Sequence, residues 1–141
     1  MNINYNLGLE ELAAVIITTV LVLIIIIFII VKTIRRPKKD FFMNEWKKLQ
    51  QRCSDKSQWP TAIVEADELL DKALKKRKVK GKTMGERLVS AQKVFSDNDG
   101  AWYGHKLREK LEEQPSTVLR KDDVKRALLG LGQALKDLEV L

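Results

Sequence analysis

The chain has 141 residues, with 26 Lys or Arg against 19 Asp or Glu, a net charge of +7 with its one histidine neutral. One Cys and one His exclude a disulfide framework and leave too few ligands for a zinc site, which takes three or four. Once an apolar N-terminal run is set aside, residues 41–141 leave room for one small domain, since domains run to roughly 100–150 residues, and a second catalytic domain is excluded.

Residues 1–11 read as a short tail that holds Glu10 and Glu11 and no basic residue. Leu12 to Val31 is an uncharged run of Leu, Ala, Val, Ile and Phe, broken only by Thr18 and Thr19. About 20 helical residues cross the roughly 30 Å hydrocarbon core of a bilayer, so residues 12–31 are expected to form a transmembrane helix. A lone strand would leave its backbone unpaired in lipid, which forces the helix despite the Ile/Val content. The two Thr hydroxyls can bond back to the preceding turn. A cleaved signal peptide needs a basic start and a small-residue cleavage site; this run ends in Ile30, Val31 and Lys32. No small-xxx-small pattern marks a dimer face within it.

Residues 32–40 form a basic juxtamembrane linker with Lys32, Arg35, Arg36, Lys38 and Lys39, interrupted by Pro37. Because only this flank is basic, the positive-inside rule places the N-terminus outside and residues 41–141 in the cytoplasm, at the inner membrane of the cell. Arg35, Arg36, Lys38 and Lys39 are also candidates for anionic lipid, at about 1 kcal/mol per cation near the surface.

From Pro37 onward the pattern is helical, and the fold expected for residues 41–141 is an all-α bundle of four or five helices. Phe42, Trp46, Leu49 and Cys53 make one stripe. Ser57 can cap the next helix, with Pro60 in its first turn. There Ala62, Ile63, Ala66, Leu69, Leu70, Ala73 and Leu74 line one side, and Glu65, Asp67, Glu68, Asp71 and Lys72 are expected outward. Val79–Lys82 reads as a loop. Thr83 and Glu86 match a capping box, followed by the stripe Met84, Leu88, Ala91 and Phe95. Ser96-Asp97-Asn98-Asp99-Gly100 is turn chemistry, and a fourth helix is expected from about Ala101 to Glu113. The last helix has Asp122 and Asp123 in its first turn and the stripe Val124, Leu128, Leu131, Leu135 and Leu138. Gly130 and Gly132 each cost about 1 kcal/mol against Ala there, which points to close approach of a neighbouring helix.

Few segments carry chemistry, and no cofactor or metal is implied. Gly81-Lys82-Thr83 lacks the earlier glycine and the preceding strand of a phosphate loop. Asp97-Asn98-Asp99-Gly100 would put Phe95 and Lys106 at the end positions of a calcium loop. Cys53 with His105 could make a nucleophile–base dyad, but a thiol on an apolar stripe is normally inert. The run Lys72, Lys75, Lys76, Arg77, Lys78, Lys80 and Lys82 ends a helix, where cations suit the dipole. Lys75, Lys76, Arg77 and Lys78 are therefore candidates for an anionic surface or polyanion as well as a solvated helix end. No aromatic interleaves the run, so nucleic acid is not expected as a partner.

Three stretches together carry a resemblance: residues 59–71 (Trp-Pro-Thr-Ala-Ile-Val-Glu-Ala-Asp-Glu-Leu-Leu-Asp), residues 81–88 (Gly-Lys-Thr-Met-Gly-Glu-Arg-Leu) and residues 102–108 (Trp-Tyr-Gly-His-Lys-Leu-Arg). The chain resembles the HEPN superfamily of helical bundles over about residues 45–141, nearest to bacterial members in which one membrane helix precedes the bundle. Active members are metal-independent ribonucleases with an Arg, a following polar residue and a His four to six positions after the Arg. The resemblance places that Arg at Arg108, the polar position at Glu109 and the His position at Glu113. No histidine follows Arg108, and carboxylates at Glu112 and Glu113 would repel RNA. What the resemblance implies is a non-catalytic binding or scaffold module. Its alternative is a membrane-tethered ribonuclease or nucleotide-binding effector with a degenerate motif.

His105 and Arg108 stand at i, i+3 on one helical face. One reading pairs Arg108 with a carboxylate of another helix, Glu65 or Asp67, and bonds His105 within the bundle; the other leaves a phosphate pocket around Arg108. Trp102, Tyr103, His105 and Arg108 are the candidate binding residues, since aromatics and Arg dominate interfaces. The resemblance makes a homodimer through this helix the expected assembly, beside an unidentified protein partner and the lipid bilayer.

Overall fold

The computed structural model describes residues 8–34 and 39–141, with side chains for 8–30 and 39–141. Tail residues 1–7, Arg35, Arg36, Pro37, Lys38 and the side chain of Lys32 lie outside the described residues, and with them most of the basic collar. Among the described residues every regular element is helical: α1 (Leu9–Ile34), α2 (Lys39–Arg52), α3 (Trp59–Lys76), α4 (Met84–Ala91), α5 (Asn98–Glu113) and α6 (Lys121–Asp137), with a 3-10 turn at Lys56–Gln58. The contacts divide into two units, α1 and the bundle α2–α6.

Helix α1 runs past both ends of the expected span, and Leu9–Ile30 (22 residues) is long and apolar enough to cross a membrane. Each of residues 8–30 is exposed. Thr18 and Thr19 donate to the carbonyls of Ala14, Val15 and Ile16 at 2.8–3.0 Å, so neither hydroxyl is left bare on an apolar surface.

The bundle core forms where the stripes of α2, α3, α5 and α6 meet. Phe42, Leu70, Leu74, Leu88, Leu131, Leu135 and Val140 are sealed within it, each worth about 1.5–3 kcal/mol relative to exposure. A second cluster, Ile63, Leu111, Leu119 and Val124, packs with Trp59, Leu107 and Leu128. All seven residues of the expected α3 stripe are buried.

Helices α5 and α6 make the most extensive contact in the bundle. Its closeness comes from glycine, since a Cβ on Gly130 would overlap the backbone of Gly100; on the side of α6 toward α2, a Cβ on Gly132 would lie 2.6 Å from Trp46 Cζ2. Close approach is thus what Gly130 and Gly132 serve.

Helix ends follow local chemistry, with two departures from the sequence reading. Ser57 is not the cap of α3; Asp55 caps the short 3-10 turn instead, accepting from Ser57 N at 2.9 Å, and α3 starts directly from it with Pro60 in its first turn. Helix α5 starts at Asn98 rather than Ala101. The carboxylate of Asp97 accepts from Gly100 N at 2.8 Å, so residues that signal a turn serve here as cap and first helical turn. Thr83 caps α4 by accepting from Glu86 N at 3.2 Å, while Glu86 reaches back to Lys82 N at 2.7 Å, one residue earlier than a capping box requires.

Helices α3 and α6 end alike. Lys78 and Glu139 adopt the left-handed conformation (φ 56°), and Val79 N and Val140 N reach back to the carbonyls of Leu74 and Leu135 at 3.0 and 3.1 Å. Arg77 ties these two ends together, donating to the carbonyl of Leu138 and pairing with Glu139 at 3.2 Å.

Candidate functional site

The candidate residues of α5 divide between two sides of that helix. His105 and Arg108 turn toward α3, and Trp102 packs edge-on to His105 with ring centroids 5.9 Å apart. Tyr103 turns toward α6, where its hydroxyl donates to Asp123 Oδ1 at 3.0 Å and Arg126 lies 4.2 Å over its ring. Burial, then the bond to Asp123, holds the Tyr103 hydroxyl above its usual range. Trp102, Tyr103 and Arg108 therefore do not share one face.

The centre on the α3 side is Asp67. The sequence pattern puts it on the outward face with Glu65, Glu68, Asp71 and Lys72, yet it is 3% exposed. Asp67 stands four residues after Ile63 and three before Leu70, which is a core-facing register on α3, and a carboxylate there needs a partner. That partner is His105, 4% exposed, whose Nδ1 lies 3.0 and 3.2 Å from the two carboxylate oxygens. The other ring nitrogen lies 3.4 Å from Glu109 Oε1. The bond to Asp67 raises the His105 pKa, burial opposes it, and the charges of Asp67 and Glu109 add to the rise.

Arg108 completes the group from its edge. Its guanidinium bonds Glu112 Oε1 at 2.7 Å, and Nε lies 3.8 Å from Asp67 Oδ2, buried and without a hydrogen bond. Glu65 is not its partner; that residue pairs with Arg52 of α2. A depression of about 240 Å³ opens beside this group, lined by Asp67, Glu68, Asp71, Lys72, Lys75, Met84 and Arg108. Three acids balance three cations there, and Arg108 already has two carboxylates, so the wall offers no excess charge to a phosphate.

The structure does not bring Cys53 and His105 together. The thiol of Cys53 bonds the carbonyl of Leu49 at 3.1 Å and burial pushes its pKa up, whereas the imidazole is held by Asp67 and Glu109. Nucleophilic chemistry needs the base to face the nucleophile. Among the described residues no group of three or more His, Cys, Asp or Glu side chains is placed to hold a metal ion.

The basic run lies on the surface, with Lys72, Lys75, Lys76, Lys78, Lys80 and Lys82 exposed and Arg77 half-buried, and three of its members also make contacts within the bundle. Lys75 pairs with Asp71 at 2.6 Å, Lys76 sits about 6 Å over the rings of Phe41 and Phe42, and Arg77 joins the ends of α3 and α6. Lys78 is exposed in its left-handed turn, and Lys39 is exposed at the start of α2.

One polar centre escapes the sequence reading. Arg87 of α4 is 5% exposed and grips Asp71 with Nε at 2.7 Å and Nη2 at 2.5 Å, while Nη1 donates to the carbonyls of Gly81 and Lys82 at 2.8 and 3.1 Å. Burial would raise the Asp71 pKa, but Lys75 and Arg87 hold it below the usual range. The signal is present in the sequence: Arg87 lies on the stripe between Met84 and Ala91, where a cation must meet an acid.

No known protein family, characterised protein or solved structure matches the chain.

Proposed function

We propose that this chain is a non-enzymatic, single-pass membrane protein whose HEPN-like helical bundle holds a protein partner, or a second copy of itself, at the cytoplasmic face of the inner membrane. The observation that carries this reading is the engagement of His105 and Arg108 with Asp67, Glu109 and Glu112. The resemblance gives Arg108 the place of the phosphate-steadying Arg of a HEPN-type ribonuclease, and here Arg108 pairs with Glu112 beside Asp67; His105, which is not at that family's His position, bonds Asp67 and joins α5 to α3. Helix α1, with exposed apolar side chains such as Ile24 and Phe28, supports the anchor. The one-sided basic flank supports the orientation.

The test uses the full chain in its membrane. The protein stays in the pellet through an alkaline carbonate wash, and protease added outside intact spheroplasts leaves residues 41–141 untouched. Release by carbonate, or loss of the bundle to external protease, overturns the reading. For pairing, light scattering of the full chain in mild detergent is expected to give a dimer that Arg108→Ala weakens. A monomer at every concentration leaves a different protein as the partner.

A further inference from the structure

Between α2 and α6 the bundle leaves a groove of about 360 Å³, with Trp46, Leu49 and Cys53 on one wall, Trp59 at its end, and Val124 and Leu128 on the other. The volume falls within the range of small-ligand pockets, about 300–1,000 Å³. Its walls are apolar and two of them are indole rings. Leu129 at its edge is 63% exposed, a large apolar side chain left in water. The polar lining is Gln50, Lys121 and Lys125, with no acid; Lys125 and Leu129 also border the next depression along α6, where Asp97, Asp99 and Asp122 lie with Arg126. Lys121 and Lys125 stand one turn apart on α6, both exposed, and neither makes an ion pair among the described residues. They differ in this from Lys75, Arg77 and Arg87, each of which has an acid partner. The first N–H groups of α6, at the same end of the groove, have no side-chain cap.

An apolar slot with two cations that make no ion pair among the described residues, and no acid in its own lining, matches one ligand chemistry. We propose that this groove binds a small amphipathic anion, an aryl or medium-length acyl carboxylate, with its ring or chain between Trp46, Trp59 and Leu128 and its carboxylate on Lys121 and Lys125. The inference rests on the shape and charge of the groove and is independent of the scaffold reading, so either can fail alone.

The test uses the full chain, labelled with ¹⁵N and held in phosphatidylcholine nanodiscs, with 2-naphthoate as the probe. The chain has three tryptophans, so three indole N–H signals report three places. Those of Trp46 and Trp59 are expected to move saturably while that of Trp102, on α5 beside His105, stays still. The neutral analogue 2-naphthalenemethanol, and 2-naphthoate with the double variant Lys121→Glu, Lys125→Glu, are each expected to bind about tenfold more weakly, the equivalent of one charge-assisted contact. The unmoved Trp102 signal in that variant reports an intact bundle. The proposal is overturned if no signal moves, if all three move together, if the alcohol binds as well as the acid, or if charge reversal leaves binding unchanged.

Discussion

Asp67 and Asp71 lie one turn apart on α3, and each meets a cation from another helix, but the two contacts differ in kind. Asp71 is gripped by the fork of Arg87, which also holds the carbonyls of Gly81 and Lys82. Asp67 is more deeply buried and meets His105. A guanidinium stays charged at any working pH, so the α3–α4 contact is permanent. An imidazole loses its charge near neutrality, so the α3–α5 contact depends on pH. Two acids of the same type, four residues apart, thus fasten one neighbour unconditionally and the other conditionally.

The largest expected effect is on the permanent contact. Arg87→Ala leaves Asp71 with Lys75 alone and frees the carbonyls of the Gly81–Lys82 loop, and loss of a partner from a buried ion pair costs about 3–5 kcal/mol. Urea unfolding followed by tryptophan fluorescence reads this directly, since Trp46, Trp59 and Trp102 all lie in the bundle. Arg87→Lys is expected to recover only part of the loss, because an ammonium cannot span the same acceptors. A smaller effect is expected where helices meet without charge: Gly130→Ala pushes a methyl into the backbone of Gly100 and should cost about 1–3 kcal/mol in the same assay.

The conditional contact comes next. His105 holds its proton more tightly in the folded chain than in the unfolded one. Its charge therefore contributes fully below the unfolded value of about 6.5, and that contribution is lost as pH rises through the folded value. Asp67→Asn is expected to cost about 1–2 kcal/mol at pH 5.5, less at pH 9, and to flatten the pH dependence of stability. An equal loss at both pH values would mean that the carboxylate does not act through the imidazolium. The smallest effect belongs to Arg108→Ala, under about 1 kcal/mol, because Arg108 and Glu112 are both partly exposed. That small cost separates a role of Arg108 in association from one in stability.

Much of this arrangement is legible in the sequence wherever apolar spacing decides. The α3 stripe, the Thr83 cap and the close approach at Gly130 and Gly132 all follow from periodicity and local chemistry. Departures occur where a charged side chain occupies an apolar register. Asp67 and Arg87 read as solvent-facing by residue type and as core-facing by position, and position wins because each finds a partner on another helix. Local pattern holds no information about that partner. Lys75, Lys76 and Arg77 remain on the surface as the sequence suggests, and their contacts with Asp71, with Phe41 and Phe42 and with Glu139 add partners that the run alone does not show. Tyr103 and Arg108 are five residues apart on α5, which places them on different sides of the helix, and adjacency in a motif does not make them one surface.

Titration of His105 in the full chain by ¹H–¹⁵N NMR tests most directly whether the α5 pair serves to fasten α3. As the only histidine, it gives its imidazole signals without ambiguity. The account predicts a pKa above about 6.5 that falls on Asp67→Asn and changes little on Arg108→Ala. A value at or below 6.5, insensitive to Asp67→Asn, would mean that the imidazole does not bear on Asp67 and would contradict it.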